Sequence, residues 1–182
     1  MIMREEIVVG DAVCGLSVAD KEKKGVVISV SGDAIVFDNI ITGSEYNAHP
    51  SLLGRYTATR DMPFDDWTVS DYEVHPDMSE ETTCFSAFLN YKGENCVFMR
   101  NSGQGGETSF QYLSDGARDV FGKALKEFYA IIDPEKILDY NEEMLVDDFF
   151  SWLFFARPID VTPKEFVDNL VAEYPDLYVK SL

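Results

Sequence analysis

The sequence predicts an α+β protein: a small antiparallel β module, then a β-hairpin, then a C-terminal part of three helices. Three observations lead there. Short apolar runs broken by turn residues fill the first 62 positions, and two more such runs bracket Lys92-Gly93-Glu94. From Ser114 onward the apolar period then changes from two residues to the 3.6 of a helix.

In the module, Ile7-Val8-Val9-Gly10-Asp11 leads into a strand over 12–18, and a lysine-rich turn follows at 21–24. Strands at 25–30 and 34–38 flank Ser31-Gly32-Asp33, which predicts a hairpin. A "V-G-D" entry, a charged loop, a "G-V-V" strand and a tight hairpin together resemble the small SH3-like barrels of the KOW and Tudor type, over roughly residues 7–60. An ordinary antiparallel meander has the same pattern.

Residues 63–81 mark the boundary between an N-terminal unit, 1–62, and a C-terminal unit, 63–182. This stretch holds Asp65, Asp66, Asp71, Glu73, Asp77, Glu80 and Glu81 with no Lys or Arg. Trp67, Val69, Tyr72 and Val74 lie among them, so an extended segment with an apolar anchor is expected. Strands at 83–91 and 95–100 form the second hairpin, 101–107 is a glycine-rich loop expected to be flexible, and 108–113 is a third strand. Ala117, Val120, Phe121, Ala124, Leu125, Phe128 and Ile132 make one helical stripe that Asp133-Pro134 ends. Asn141 caps a second helix reaching about Ala156, with Leu145, Phe149, Trp152 and Leu153 on one face. Phe150, Phe154 and Phe155 widen that face nearly all round, for core or for a partner. Thr162-Pro163-Lys164-Glu165 is a capping box, and the third helix stops at Tyr174-Pro175.

Charge is unevenly distributed. Residues 1–62 carry 6 Lys/Arg against 9 Asp/Glu, a net of −3, whereas 63–182 carry 9 against 24, a net of −15. Such a surface repels nucleic acid and anionic membrane and attracts basic proteins. At 46% hydrophobic and 13% aromatic the chain is too apolar for a disordered acidic tail. No apolar run is long enough to span a bilayer, and the first residues lack the regions of a signal peptide, so a cytoplasmic protein with reduced Cys14, Cys84 and Cys96 is expected.

No catalytic motif emerges. His49 and His75 each precede a proline and read as turn residues, and no cysteine pair has the spacing of a zinc site. His75 with Cys84 or Cys96 could form a thiol dyad, although cysteines inside strands are more often small buried apolar groups. Neither Asp65/Asp66 nor Asp147/Asp148 extends into a Ca²⁺ loop pattern. The glycine-rich loop lacks the lysine of a phosphate-binding loop and runs into a strand. Neither an enzyme nor a bound cofactor or metal is expected. Lys21, Lys23 and Lys24 are the only basic cluster, a thin footprint for nucleic acid beside so much acid.

Solubility or a halophilic proteome would also explain excess acid, but the aromatic content speaks against the halophile. The sharper explanation is recognition of a basic groove, with carboxylates set like a row of phosphates. One candidate row is Asp65, Asp66, Asp71, Glu73, Asp77, Glu80 and Glu81, with Trp67 as its anchor; the other is Asp139, Glu142, Glu143, Asp147 and Asp148. By size, charge and organisation the chain resembles the acidic nucleic-acid-mimicking inhibitors of phages and mobile elements, anti-CRISPR proteins foremost, and the immunity proteins that neutralise nuclease toxins. The resemblance implies an inhibitor in a bacterial host cell that blocks the DNA channel of a nuclease, a CRISPR effector of the Cas9 type being the specific case. A near-neutral β module is surplus to a pure mimic. It is left to form a homodimer, to touch the target separately, or to bind nucleic acid itself through Lys21, Lys23 and Lys24.

Overall fold

The computed structural model describes residues 6–15, 23–32, 34–39, 44–106 and 108–179. Within them the chain is α+β, with two antiparallel sheets and helices packed against one face of the second. The first sheet comprises β1 (Ala12–Gly15), β2 (Lys24–Ser31), β3 (Ala34–Asn39), β4 (Ser44–Ala48) and β5 (Leu53–Arg55). Its order is β4-β3-β2-β1-β5, so the last strand returns to pair with the first. A single 3-10 turn, Pro50–Leu52, makes that return possible; the His49 ring accepts the Ser51 amide at its start. Alternation puts Val13, Val27, Ile35, Phe37 and Leu53 into a small core, with the Phe37 and Tyr46 rings 5.1 Å apart. At Gly25 a Cβ would sit 2.2 Å from the Asp38 carbonyl oxygen, so only glycine lets β2 and β3 close there.

The second sheet is a meander of β6 (Trp67–Val74), β7 (Phe85–Tyr91), β8 (Glu94–Asn101) and β9 (Ser109–Tyr112) in that spatial order. Lys92 and Gly93 form its tight turn with φ of 52° and 82°, the left-handed pair that matches strand twist. The acid-rich extended segment thus becomes an edge strand. Ser70 faces Phe88 and Glu73 faces Ser86, so β6 carries one extra residue between them. That bulge, with Asp71 at φ 50°, returns Tyr72 and Val74 to the core side and keeps Asp71 and Glu73 in solvent.

Helix α1 (Asp115–Ile132) starts where the Ser114 hydroxyl oxygen accepts the Ala117 amide, and it buries Ala117, Phe121, Ala124, Leu125, Phe128 and Ile132 at helical spacing. The second predicted helix divides: α2 (Glu142–Ser151) is regular, and Trp152–Ala156 widens into a π turn. The wider turn buries Trp152, Leu153, Phe154 and Ala156 together, which a 3.6-residue period would not do. Both halves of the Thr162/Glu165 capping box are formed at α3 (Pro163–Glu173). Pro175 then begins a further turn, α4 (Pro175–Tyr178), where the sequence predicts only a stop. Phe149 sits at the centre of the core, edge-on to Phe64 at 5.3 Å and to Phe128 at 5.2 Å.

A clamp joins the two sheets. Asp160, buried and left-handed at φ 67°, accepts hydrogen bonds from the Tyr56 hydroxyl at 2.6 Å, the Thr59 hydroxyl at 2.8 Å, the Thr59 amide at 2.8 Å and the Arg60 amide at 3.0 Å. Arg157 reaches the carbonyls of Phe64 and Trp67 and the Asp65 carboxylate, while Arg60 pairs with Glu165. The segment between the sheets is therefore held along its length by the turn before α3.

Burial opposes ionisation of Asp160, but its four donors outweigh burial and hold the carboxyl well below the usual range. A lowered native pKa means stability that is complete above the ordinary carboxylate value and is lost as pH falls below about 4. Asp160→Asn is expected to cost about 3 kcal/mol at neutral pH and to flatten the acid limb, as measured by urea unfolding across pH.

Candidate functional site

The seven acids of the first candidate row are all exposed. Asp65 and Asp66 have partners, Arg157 at 2.8 Å and Lys92 at 3.7 Å, but these exposed ion pairs add little stability. Asp71, Glu73, Asp77, Glu80 and Glu81 make no ion pair among the described residues. Their mounting is rigid. Beyond the bulge, a 3-10 turn at Pro76–Met78 leads to a knot in which the amides of Glu80, Glu81 and Thr82 all donate to the Gly103 carbonyl, at 2.9, 2.9 and 3.3 Å. Gly103 has φ 81° and a Cβ there would lie 2.3 Å from the Met78 carbonyl oxygen.

The described part of the glycine-rich loop is thus not a free connection. Asn101 is buried beneath it, accepting from Thr82 and from the Gly103 amide and donating to the Gly106 carbonyl. The loop and the acidic turn brace one another, which the sequence reading of a flexible loop missed.

The second row breaks up. Asp139, Glu142 and Glu143 are exposed, and the two glutamates occupy the first turn of α2, where the helix dipole favours them. Asp147 is half-buried; burial pushes its carboxyl up while a hydrogen bond from Thr108 opposes the shift. Asp148 is buried, accepting from the Tyr140 hydroxyl at 2.7 Å and the Tyr178 hydroxyl at 3.2 Å. Burial lifts its carboxyl to about 7 despite both donors. Asp148 is therefore a core hinge between α2 and α4 and no part of a surface row. Adjacent helical residues point about 100° apart, which is why the Asp147/Asp148 pair divides.

Trp67 also needs correction. It is 3% exposed, with its ring 5.2 Å from Tyr91 and 5.5 Å from Phe121, so it anchors β6 to α1 and offers nothing to a partner. Phe150 and Phe154 are buried and Phe155 is half-buried against Phe154. These aromatics belong to the core.

The basic cluster does not form one patch among the described residues. Lys21 lies outside them, Lys23 holds its ammonium 5.9 Å from the Tyr46 ring, and Lys24 lies in β2 with its ammonium 4.7 Å from the Tyr56 ring. Cys84 and Cys96 are buried. Exposed His75 meets Cys84 through the backbone, its amide donating to the Cys84 carbonyl at 2.8 Å. Among the described residues no group of three or more His, Cys, Asp or Glu converges as metal ligands. Two further acids, Asp38 and Glu45, face each other across β3 and β4 without any sequence signal to single them out.

Compared with protein-family models, with curated proteins and with solved structures, the chain matches none. Among the described residues no helix is long and apolar enough to cross a membrane.

A native pKa raised above the unfolded value of about 4 makes Asp148 cost stability as pH climbs from about 4 to about 7, after which the cost is constant. Asp148→Asn is expected to remove that slope, so the variant loses less stability than the parent between pH 5 and pH 8, by a few kcal/mol at most. Urea midpoints at the two pH values measure it.

Proposed function

We propose that this protein is a non-catalytic acidic inhibitor that occupies the basic nucleic-acid channel of a bacterial nuclease, with a CRISPR effector of the Cas9 type as the specific target, and so blocks DNA recognition or cleavage. The observation that carries this reading is the row from Asp65 to Glu81: seven exposed carboxylates with no intervening Lys or Arg, on an edge strand and the turns before and after it, which backbone hydrogen bonds brace. A channel that reads DNA presents Arg and Lys to phosphates, and a fixed row of carboxylates offers the same charge without a scissile bond. Net charge of −18 adds steering at a distance and works against DNA as the ligand. Asp139, Glu142 and Glu143 supply a second, shorter set of exposed acids.

The N-terminal sheet fits an SH3-like barrel in this proposal. Five antiparallel strands in the order β4-β3-β2-β1-β5, with a 3-10 turn before the strand that closes on β1, support that assignment. Its role is to carry part of the contact surface, in the cytoplasm of the host cell.

The test is binding to a guide-loaded Cas9-type effector at low and high salt, with DNA cleavage as the second readout. Parent protein is expected to bind and inhibit at low salt and to weaken steeply at high salt. A variant carrying Asp71→Asn, Glu73→Gln, Asp77→Asn, Glu80→Gln and Glu81→Gln is expected to lose affinity at least tenfold with a thermal midpoint close to the parent's, because these side chains are solvated. Equal affinity of parent and variant would refute the row as the contact. Salt-sensitive binding to a nuclease toxin, with none to the effector, would move the target to the immunity class.

A further inference from the structure

The packing between the two sheets stops short of their full width. Val26 and Ala12 of the first sheet join the large core, but beyond them a cleft of about 810 Å³ opens between the outer face of β2–β4 and the β6 edge with its following turn. Its walls are mixed: Val30, Val36, Val74 and Phe155 supply apolar surface, and Ser29, His75, Ser79 and Thr83 supply polar groups. Three carboxylates reach it: Asp38 and Glu45 from one wall and Glu73 from the other. Among the described residues no Lys or Arg lines the cleft, and none of the three acids makes an ion pair.

Asp38 and Glu45 are direct cross-strand neighbours in the β3–β4 register. Like charges in that position destabilise a sheet, and here one of them is half-buried. Burial first, and Glu45 second, push the Asp38 carboxyl above its ordinary value. The fold thus holds two repelling carboxylates at the cleft beside the half-buried Tyr72, and among the described residues the imidazole of His75 is the one basic group in its lining. A guest with an aliphatic stem and a cationic head satisfies both features: the stem covers the valines, and the head lies between the walls against carboxylates and aromatic faces. Of the two natural side chains of that kind, the planar guanidinium suits several carboxylate oxygens and a ring face better than a compact ammonium does.

We infer that the cleft between the β2–β4 face and β6 is a socket for a single arginine side chain of the partner protein, held by Asp38, Glu45 and Glu73. This rests on the reading of the protein as a ligand of a basic partner, and it locates the specific contact within a surface whose remaining acids act at longer range.

The test uses the full chain and the peptide acetyl-Gly-Arg-Gly-amide, followed by amide and methyl NMR, with the neutral citrulline peptide and the lysine peptide as comparators. The arginine peptide is expected to give saturable shifts at Val30, Val36 and Val74, the lysine peptide weaker ones, and the citrulline peptide none. Asp38→Asn/Glu45→Gln is expected to weaken the arginine peptide at least fivefold, as is Glu73→Gln on the opposite wall. Asp119→Asn/Glu135→Gln, which removes two exposed charges outside both the cleft and the acidic row, is expected to leave it unchanged. Removal of the like-charge pair should not lower the thermal midpoint, and Glu73→Gln carries the test if it does. Shifts spread evenly over all exposed acids, equal binding of citrulline, or equal loss in the Asp119/Glu135 control would overturn the socket. Since no nuclease enters this experiment, saturable peptide binding stands even if the effector is the wrong target. Effector binding that survives Asp38→Asn/Glu45→Gln and Glu73→Gln undiminished would remove the socket alone.

Discussion

Asp160 accepts hydrogen bonds from Tyr56, Thr59 and Arg60, residues about a hundred positions upstream, and the polar contacts that hold the segment between the two sheets are centred on that carboxylate. Without it the segment after β5 would have to solvate its own amides, and Arg157 would lose the neighbouring frame from which it reaches Phe64 and Trp67. A buried carboxylate is expensive unless its lone pairs are filled, and here four donors fill them. The left-handed backbone at Asp160 is the local cost of aiming the side chain at the linker, one that an aspartate bears more easily than most residues.

Beyond that clamp, the second sheet gives the acidic surface its geometry. Carboxylates in excess repel one another, and a loose chain would spread them apart. The body resists because its interior is dense with aromatic contacts, Phe149 and Phe64 at the centre and stacked Phe85 and Phe150 to one side. Charge sits on hydrogen-bonded elements: a bulged edge strand, a turn knotted to Gly103, and the capped first turn of α2. The cleft at Asp38, Glu45 and Glu73 depends on the same restraint, since its two walls come from different sheets.

Features whose cause is local were legible in the sequence. The α1 stripe, the capping box at Thr162, the Lys92-Gly93 turn and the hairpin after Val26 each follow from residues within a few positions of one another. Features that depend on distant partners were not. Acids hid the pairing of β6, because its bulge interrupts the alternation that would have marked a strand. Trp67 looked available because its neighbours are charged, yet its burial is decided by Phe121, and Asp148 looked like Asp147 until Tyr140 and Tyr178 closed over it. Of the candidate row along 63–81, the seven acids are exposed and only the tryptophan moves to the core. For Asp160 no signal exists in the chain around it, since its donors lie in the segment after β5, about a hundred positions upstream.

The two sheets fold as one unit, joined by the Asp160 clamp and by the packing of Ala12 and Val26 into the larger core. Urea unfolding followed at once by tryptophan fluorescence, which reports Trp67 and Trp152 in the second core, and by methyl NMR of Ile35 in the first, tests it most directly. The account predicts one transition with coincident midpoints. An earlier, separate loss of the Ile35 signal would mean that the first sheet unfolds alone, and the clamp and the cleft would both be contradicted.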